Sequence, residues 1–451
     1  FCSLILFSPS FNYYFFQDDW FVLSWVNQGN LVSFFEFRTD IIYWRPLSMP
    51  FFFALGKLLF GFNPYGFHLI AFTFHFINSF LVFLLFKHLK LNDSVSKFSA
   101  FIYAISAFHF IGLSWLSTTS YVIGTTFILS SIISFLKSKI AFSFIFFLLA
   151  LASTEFSAIC IPLLALLRKF SKKALFQLSP FITTIAVYLA IRFLVFPIPA
   201  QGDYGISLNL KTLTNISWYF LWTFNFGEKF STIFFIFNIK DFPSLFASQI
   251  KYLIFPIILI ITSTYLVLIS KLNIKVILFG FSWFLISLTP VILIPKHVYP
   301  VYLPIASIGI ILILSRALET LKNNRIFALI TISLIWFISA FITINFTRET
   351  HWIANQQAIS RAYSNFIKSK AQQPSDFSVF IIKPADINFS KINGFTLVET
   401  EQNIKQSFND QDAIQVIYNN PSLKSIFANH QELVKVPQNV QVYEISPRVE
   451  K

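Results

Sequence analysis

Asp18 and Asp19 stand side by side after an aromatic run, Tyr13-Tyr14-Phe15-Phe16, in a 451-residue chain with only 12% charged residues. At a membrane surface a carboxylate can take the proton of an acceptor hydroxyl, and two adjacent ones can hold a divalent cation. An Asp-Asp pair also suits an ordinary solvated loop. Arg45-Pro46-Leu47 follows, just before an apolar stretch. The forked guanidinium matches phosphate oxygens, and it equally suits an interfacial anchor. His68, His75 and Asn78 fall on one helical face by their spacing. Each histidine taken alone suits packing, and no carboxylate or cysteine completes a metal site there, so no metal centre is expected. Glu155 lies in a short turn, Ser153-Thr154-Glu155, between apolar stretches. An ionisable group at that depth is expected to line a cavity. Lys296-His297 closes another apolar run, where a cation can neutralise a lipid phosphate or simply snorkel.

The elements that must position these residues are membrane-spanning helices. Apolar residues make up 55% of the chain, and its mean hydropathy is +0.67. Apolar runs occur near 64–86, 98–113, 117–136, 140–153, 156–167, 175–196, 251–270, 275–295, 299–315 and 326–346. With residues 1–8 as the stump of a first helix, the expectation is an all-α polytopic membrane protein of about 11 transmembrane helices. The 61 phenylalanines read as lipid-facing filler, since any apolar residue serves there. Run 140–167 is expected as two short helices around the Ser153–Glu155 turn, because one span would misplace the following basic loop. The basic loops at 87–97, 137–139, 168–173, 271–275 and 316–325 then share one side, read as cytoplasmic. The net charge of +14 is accounted for by these loops, so nucleic acid is excluded as a partner. External loops are expected at about 9–63 and 197–247, with Trp218, Tyr219 and Trp222 at the headgroup level. Cys2 and Cys160 have no metal-ligand spacing and suggest no disulfide. Residues 1–346 form the expected transmembrane unit, and 347–451 a small external α/β domain. In the latter, 377–383, 413–418 and 440–445 read as strands, and 397–408 and 422–433 as helices.

In chain order, Asp18-Asp19, Arg45-Pro46-Leu47 and Asn63-Pro64-Tyr65-Gly66-Phe67-His68-Leu69, with His75 and Asn78, resemble the N-terminal half of the GT-C glycosyltransferases. The likeness is to the protein O-mannosyltransferase-like branch, which includes the transmembrane and tetratricopeptide-repeat proteins and their bacterial relatives. His109, Trp115 and Ser117 match a further pattern, Thr154-Glu155 a Lys-Glu turn, and Tyr302-Leu303-Pro304 a Tyr-Leu-Pro motif. The resemblance implies a GT-C-like fold and a polyprenyl-phosphate sugar donor, used on the outer face of what is expected to be a bacterial cytoplasmic membrane. It also implies inverting transfer, with Asp18 or Asp19 as general base. Arg45, Lys296 and His297 would then bind the donor phosphate. Glu155, His68, His75, Asn78, His109, Trp115 and Tyr302 would line the cavity. No cofactor is required, and a divalent cation is permitted by the aspartate pair. The acceptor is left open among protein, lipid and glycan, and membrane lipid is the surrounding partner. The chain departs from the pattern at Thr154, at Thr119 and at Val298-Tyr299, where the family carries Lys, Arg and Glu-Arg. Two other classes fit the same hydropathy: a lipid-linked sugar transporter or flippase, and a non-catalytic assembly subunit of the same fold.

Overall fold

The computed structural model describes residues 1–38, 41–168, 172–195, 205, 209–231, 242–294, 296–322, 324–384, 400–428 and 440–446; for 172–175 and 242–248 only the backbone is described. Its helices are α1 (Cys2–Phe7), α2 (Asp18–Gln28), α3 (Phe52–Phe60), α4 (Pro64–His88), α5 (Asp93–Ile105) and α6 (Phe110–Ser114). Next come α7 (Thr119–Leu136), α8 (Ile140–Leu151), α9 (Cys160–Arg168), α10 (Lys172–Val195), α11 (Leu210–Thr223) and α12 (Phe242–Ile269). The helical part ends with α13 (Ile274–Ile292), α14 (Leu303–Thr320), α15 (Arg325–Thr350) and α16 (Trp352–Lys370). Among the described residues, seven helices are long and apolar enough to cross a membrane, or eight if the bent α5–α6 pair is one span. Several long apolar helices of this kind are compatible with an integral membrane protein.

Local chemistry sets the helix ends. The Asn63 side chain accepts from the Tyr65 N–H at the start of α4, with Pro64 in the first turn, where its missing N–H costs nothing. Asn92 caps α5 in the same way, accepting from Val95. The expected break in 140–167 is present: α8 stops at Leu151, and a 3₁₀ turn over Glu155–Ile159 leads into α9. Between α5 and α6 the axis bends by 47° at Ser106, whose backbone is extended. The bend frees the Ala107 N–H, and Asn225 Oδ1 accepts from it at 2.8 Å. Unpaired backbone at this depth would be costly, so that side chain is part of the helix break.

Helix α14 is the hub, with nearly every residue from Leu303 to Leu318 buried, whereas most of α10 faces outward. Hydropathy alone does not separate these two helices; small residues do. Gly280 of α13 and Gly309 of α14 lie against each other, and a Cβ on Gly280 would sit 2.6 Å from the Gly309 carbonyl oxygen. Close crossing of this kind suits apolar surroundings, where packing rather than water drives association. Helix α11 packs on α13 and α14. Trp218, Tyr219 and Trp222 are therefore buried against the bundle, because their helix is a layer of the core. Parts of the expected 197–247 loop lie outside the described residues.

After α16 the chain forms β1 (Val379–Ile382), α17 (Glu401–Phe408), α18 (Asp412–Tyr418), β2 (Lys424–Phe427) and β3 (Val442–Ile445). The three strands make a parallel sheet in the order β2-β1-β3, with Val379 in register with Lys424 and Val442. Two expectations are corrected. The segment 413–418 is a helix, bounded by left-handed Asn409 and Asn419, and 424–427 is a strand rather than part of a helix. Apolar runs this short fit either period, and only the sheet partner decides. Residues 429–433 of that expected helix lie outside the described residues. The sheet and α16–α18 share one hydrophobic core with the 15–67 region, joining Phe15, Trp20, Phe53, Tyr363, Phe380 and Ile414.

Candidate functional site

The two aspartates divide their roles. Asp19 is fully buried. One of its oxygens accepts from the Ser117 N–H at 2.8 Å and the Ser117 hydroxyl at 2.6 Å, and the other from the Phe16 N–H at 3.3 Å. It bolts the start of α2 to the turn before α7. Burial pushes its carboxyl up to about 7, while the hydrogen bonds from Ser117 and Phe16 pull it down. Asp18 is partly exposed and has no hydrogen-bond partner among the described residues. Burial holds its carboxyl above the ordinary range, against the pull of the Arg45 charge. The pair does not present four oxygens to one cation, because those of Asp19 are taken. Among the described residues no group of three His, Cys, Asp or Glu is placed to hold a metal ion.

The C-terminal unit holds this segment in place. The Gln17 N–H donates to the Ser407 carbonyl at 3.0 Å, and Trp20 Nε1 donates to Ser360 Oγ at 2.9 Å. Gln17 takes a positive φ of 49° just before α2, so the chain turns sharply into the helix at Asp18.

Arg45 is committed to Glu155. Its Nε donates to one carboxylate oxygen at 2.8 Å and its Nη2 to the other at 2.5 Å. The remaining contacts are Nη1 to Ser120 Oγ at 3.3 Å and Nη2 to the Tyr121 hydroxyl at 3.1 Å. The guanidinium lies over the Tyr43 ring at 4.5 Å and the Tyr121 ring at 5.1 Å. Four of the five N–H groups of a guanidinium are thus in use. Only 9% of the Arg45 side chain is exposed, against 40% for Glu155. For Glu155 burial raises the carboxyl, but the Arg45 charge and hydrogen bonds more than offset it and hold the group below its ordinary value. The backbone fixes the approach: Leu47 N–H donates to the Ala152 carbonyl at 3.0 Å, and Ser48 Oγ to the Ser153 carbonyl. Arg192, in the last turn of α10, adds a second positive charge within electrostatic reach of Glu155.

Rings connect this pair to the 297–302 segment. Tyr302 meets Tyr121 edge-on at 5.0 Å, stacks on Phe156 at 5.8 Å and lies 6.0 Å from the His297 ring. Lys296 is exposed and makes no ion pair among the described residues. Asp18, Arg45, Glu155, Tyr302 and His297 therefore form one neighbourhood.

The other expected cavity residues fasten the core instead. Both His68 ring nitrogens face backbone carbonyls, of Leu113 at 3.0 Å and Tyr13 at 3.2 Å. His75 Nε2 lies 3.0 Å from the Ala104 carbonyl, and its ring meets that of His109 at 4.4 Å. His109 Nε2 lies 2.9 Å from the Tyr103 carbonyl. Asn78 donates to the Val122 carbonyl at 2.8 Å and accepts from Thr126 at 2.6 Å. These four are at most 3% exposed, so a substrate surface is not open to them. Trp115 stacks on Phe16 at 5.6 Å beside the aspartates. Sequence reasoning missed Tyr43, Ser120, Tyr121 and Arg192 around Arg45; the polar first turns of α7 in an otherwise apolar run were the available signal. It also missed a part-buried pair, His351 Nε2 to Glu228 at 3.0 Å. No family model, curated protein or solved structure matches the chain.

Proposed function

We propose that this chain is a membrane-embedded glycosyltransferase of the GT-C type that uses a polyprenyl-phosphate sugar. The observation that carries the reading is Asp18: a half-buried carboxylate without a hydrogen-bond partner among the described residues, within electrostatic reach of Arg45 and its partner Glu155. In this reaction Asp18 takes the proton of an acceptor hydroxyl. The hydroxyl oxygen then forms a bond to the anomeric carbon as the bond to the phosphate oxygen breaks. Polyprenyl phosphate leaves, and the anomeric centre inverts. A carboxyl raised by burial is the stronger base for this step. Asp19 positions α2, and Arg45 positions Glu155 toward the sugar or acceptor. Lys296 and His297 on one side, with Arg192 on another, supply positive charge for the leaving phosphate. The site is taken to face the non-cytoplasmic side, as the loop charges suggest.

The test is transfer of labelled sugar by proteoliposomes. Asp18→Asn is expected to lose about 10²-fold or more, the usual contribution of a general base. Undiminished transfer by Asp18→Asn and by the Asp18→Asn/Asp19→Asn double variant would sink the mechanism. One observation favours a second reading, a non-catalytic assembly subunit. Arg45, expected at the donor phosphate, is already paired with Glu155. That reading requires the wild-type protein to transfer no sugar from any polyprenyl-phosphate donor.

A further inference from the structure

A second polar site lies between α2 and the C-terminal unit. It is a groove of about 350 Å³, and five of its eight lining residues are carboxamides: Asn27, Gln28, Gln415, Asn419 and Asn420. None of the eight is charged. We propose that this groove binds a neutral polyhydroxylated ligand, a segment of glycan.

Asn27, Gln28 and Gln415 are each already held by one end, which fixes what the other end offers. Lys57 Nζ lies 2.6 Å from Asn27 Oδ1. An ammonium can only donate, so this contact fixes the amide and leaves Asn27 Nδ2 as the donor end. That nitrogen is buried at the groove wall with no hydrogen-bond partner among the described residues. Gln415 is held the opposite way: its Nε2 donates to the carbonyls of Pro421 at 3.0 Å and Leu423 at 3.1 Å. Carbonyls only accept, so its open end is the acceptor Oε1. Gln28 donates through Nε2 to Ser24 Oγ at 3.0 Å and likewise leaves an acceptor. Asn420 is used at both ends, by Asp376 and Ser422, and serves as wall. Asn419 is exposed, held by a left-handed backbone.

The α2 wall thus offers one donor, Asn27 Nδ2, and one acceptor, Gln28 Oε1, and the opposite wall an acceptor, Gln415 Oε1, on side chains the protein already holds. Little rotamer freedom is left to lose on binding. A hydroxyl both donates and accepts, so neighbouring sugar hydroxyls match such an array. No charged side chain lines the groove, and Lys57 and Asp376, which touch its wall residues Asn27 and Asn420, spend those contacts on the amides. A peptide would need side-chain pockets, and here only Val416 and Pro421 are apolar. The site is separate from Asp18: nine residues along α2 turn Asn27 about 180° away from it, at 3.6 residues per turn.

The test uses the full-length protein in detergent, titrated calorimetrically with mannotriose, chitotriose and a Gly-Ser hexapeptide. At least one trisaccharide is expected to bind in the millimolar range or tighter. Asn27→Asp keeps the shape and the Lys57 contact but replaces the donors with an acceptor. It is expected to weaken binding about tenfold, as is Gln28→Ala/Asn419→Ala, which touches only the groove surface. Asp18→Asn is expected to bind as wild type, so the result stands apart from any transfer assay. Binding of neither trisaccharide, unchanged affinity in both groove variants, or equal affinity for the hexapeptide overturns the proposal.

Discussion

Ser117→Ala separates the fastening aspartate, Asp19, from the proposed base, Asp18. The Ser117 hydroxyl donates at 2.6 Å to a carboxylate with no solvent exposure, while the Ser117 N–H keeps its own contact. A hydrogen bond to a charged acceptor contributes about 1.5–3 kcal/mol, and one to a neutral acceptor about 0.5–1.5 kcal/mol. Asp19 titrates at about 7 in the folded chain, against an ordinary 3.8. Between those values the folded state holds a proton that the unfolded state releases. Wild-type stability contributed by this group therefore falls as pH rises through that window. The variant has lost a donor that favours the charged form, so its carboxyl moves further up and the fall continues to higher pH. Reversible unfolding in mixed micelles is expected to show a loss of about 1.5–3 kcal/mol near pH 8.5, shrinking to about 0.5–1.5 kcal/mol near pH 5.5. Asp18→Asn, with no hydrogen-bond partner among the described residues to lose, is expected to stay within about 0.5 kcal/mol of wild type. An equal cost for Ser117→Ala at both pH values refutes the buried charge-assisted bond. A cost for Asp18→Asn as large as that for Ser117→Ala refutes the division of roles.

Glu155→Ala strands a guanidinium that is only 9% exposed. The expected loss is about 1–3 kcal/mol, below that of a fully buried pair because Glu155 itself is 40% exposed. Since Arg45 holds the Glu155 carboxyl below its ordinary 4.5, this contribution is present above that value and lost as pH falls through the lowered one; thermal melts in acid, absent from Glu155→Ala, check it. Gly280→Ala places a methyl group 2.6 Å from the Gly309 carbonyl and is expected to cost about 1–3 kcal/mol by overpacking, read as a lower melting temperature and yield.

Helix existence was legible because apolar runs of spanning length have few other readings, and even the 140–167 break followed from loop charge. Burial was not legible. Helices α10 and α14 are similarly apolar, yet one faces outward and the other is the hub, because Gly309 and its neighbours admit close crossing. The short C-terminal segments were exchanged between helix and strand, since 413–418 and 424–427 each span too few residues for a period to show. Residue types singled out Asp18, Arg45, Glu155, Tyr302 and His297, which the fold brings into one neighbourhood. They did not tell which polar groups already satisfy one another. Asp19 and Ser117 are 98 residues apart, and Arg45 and Glu155 are 110 apart. Pairings at that separation come from tertiary packing, and no local pattern announces them.

The pairing of Arg45 redistributes the work of binding a phosphate. Bidentate recognition needs two parallel N–H groups, and this guanidinium has one left after Glu155, Ser120 and Tyr121. A phosphate at Arg45 would have to displace Glu155, uncovering a carboxylate whose charge Arg45 now holds. Lys296 has no such tie among the described residues, and its exposure lets it meet a phosphate by moving only its own flexible stem. His297 reaches the same neighbourhood through Tyr302. In the proposed reaction the leaving phosphate therefore belongs on the Lys296 side. Arg45 acts one step back, by holding Glu155 and the 152–155 turn against α7 in the geometry the sugar would meet.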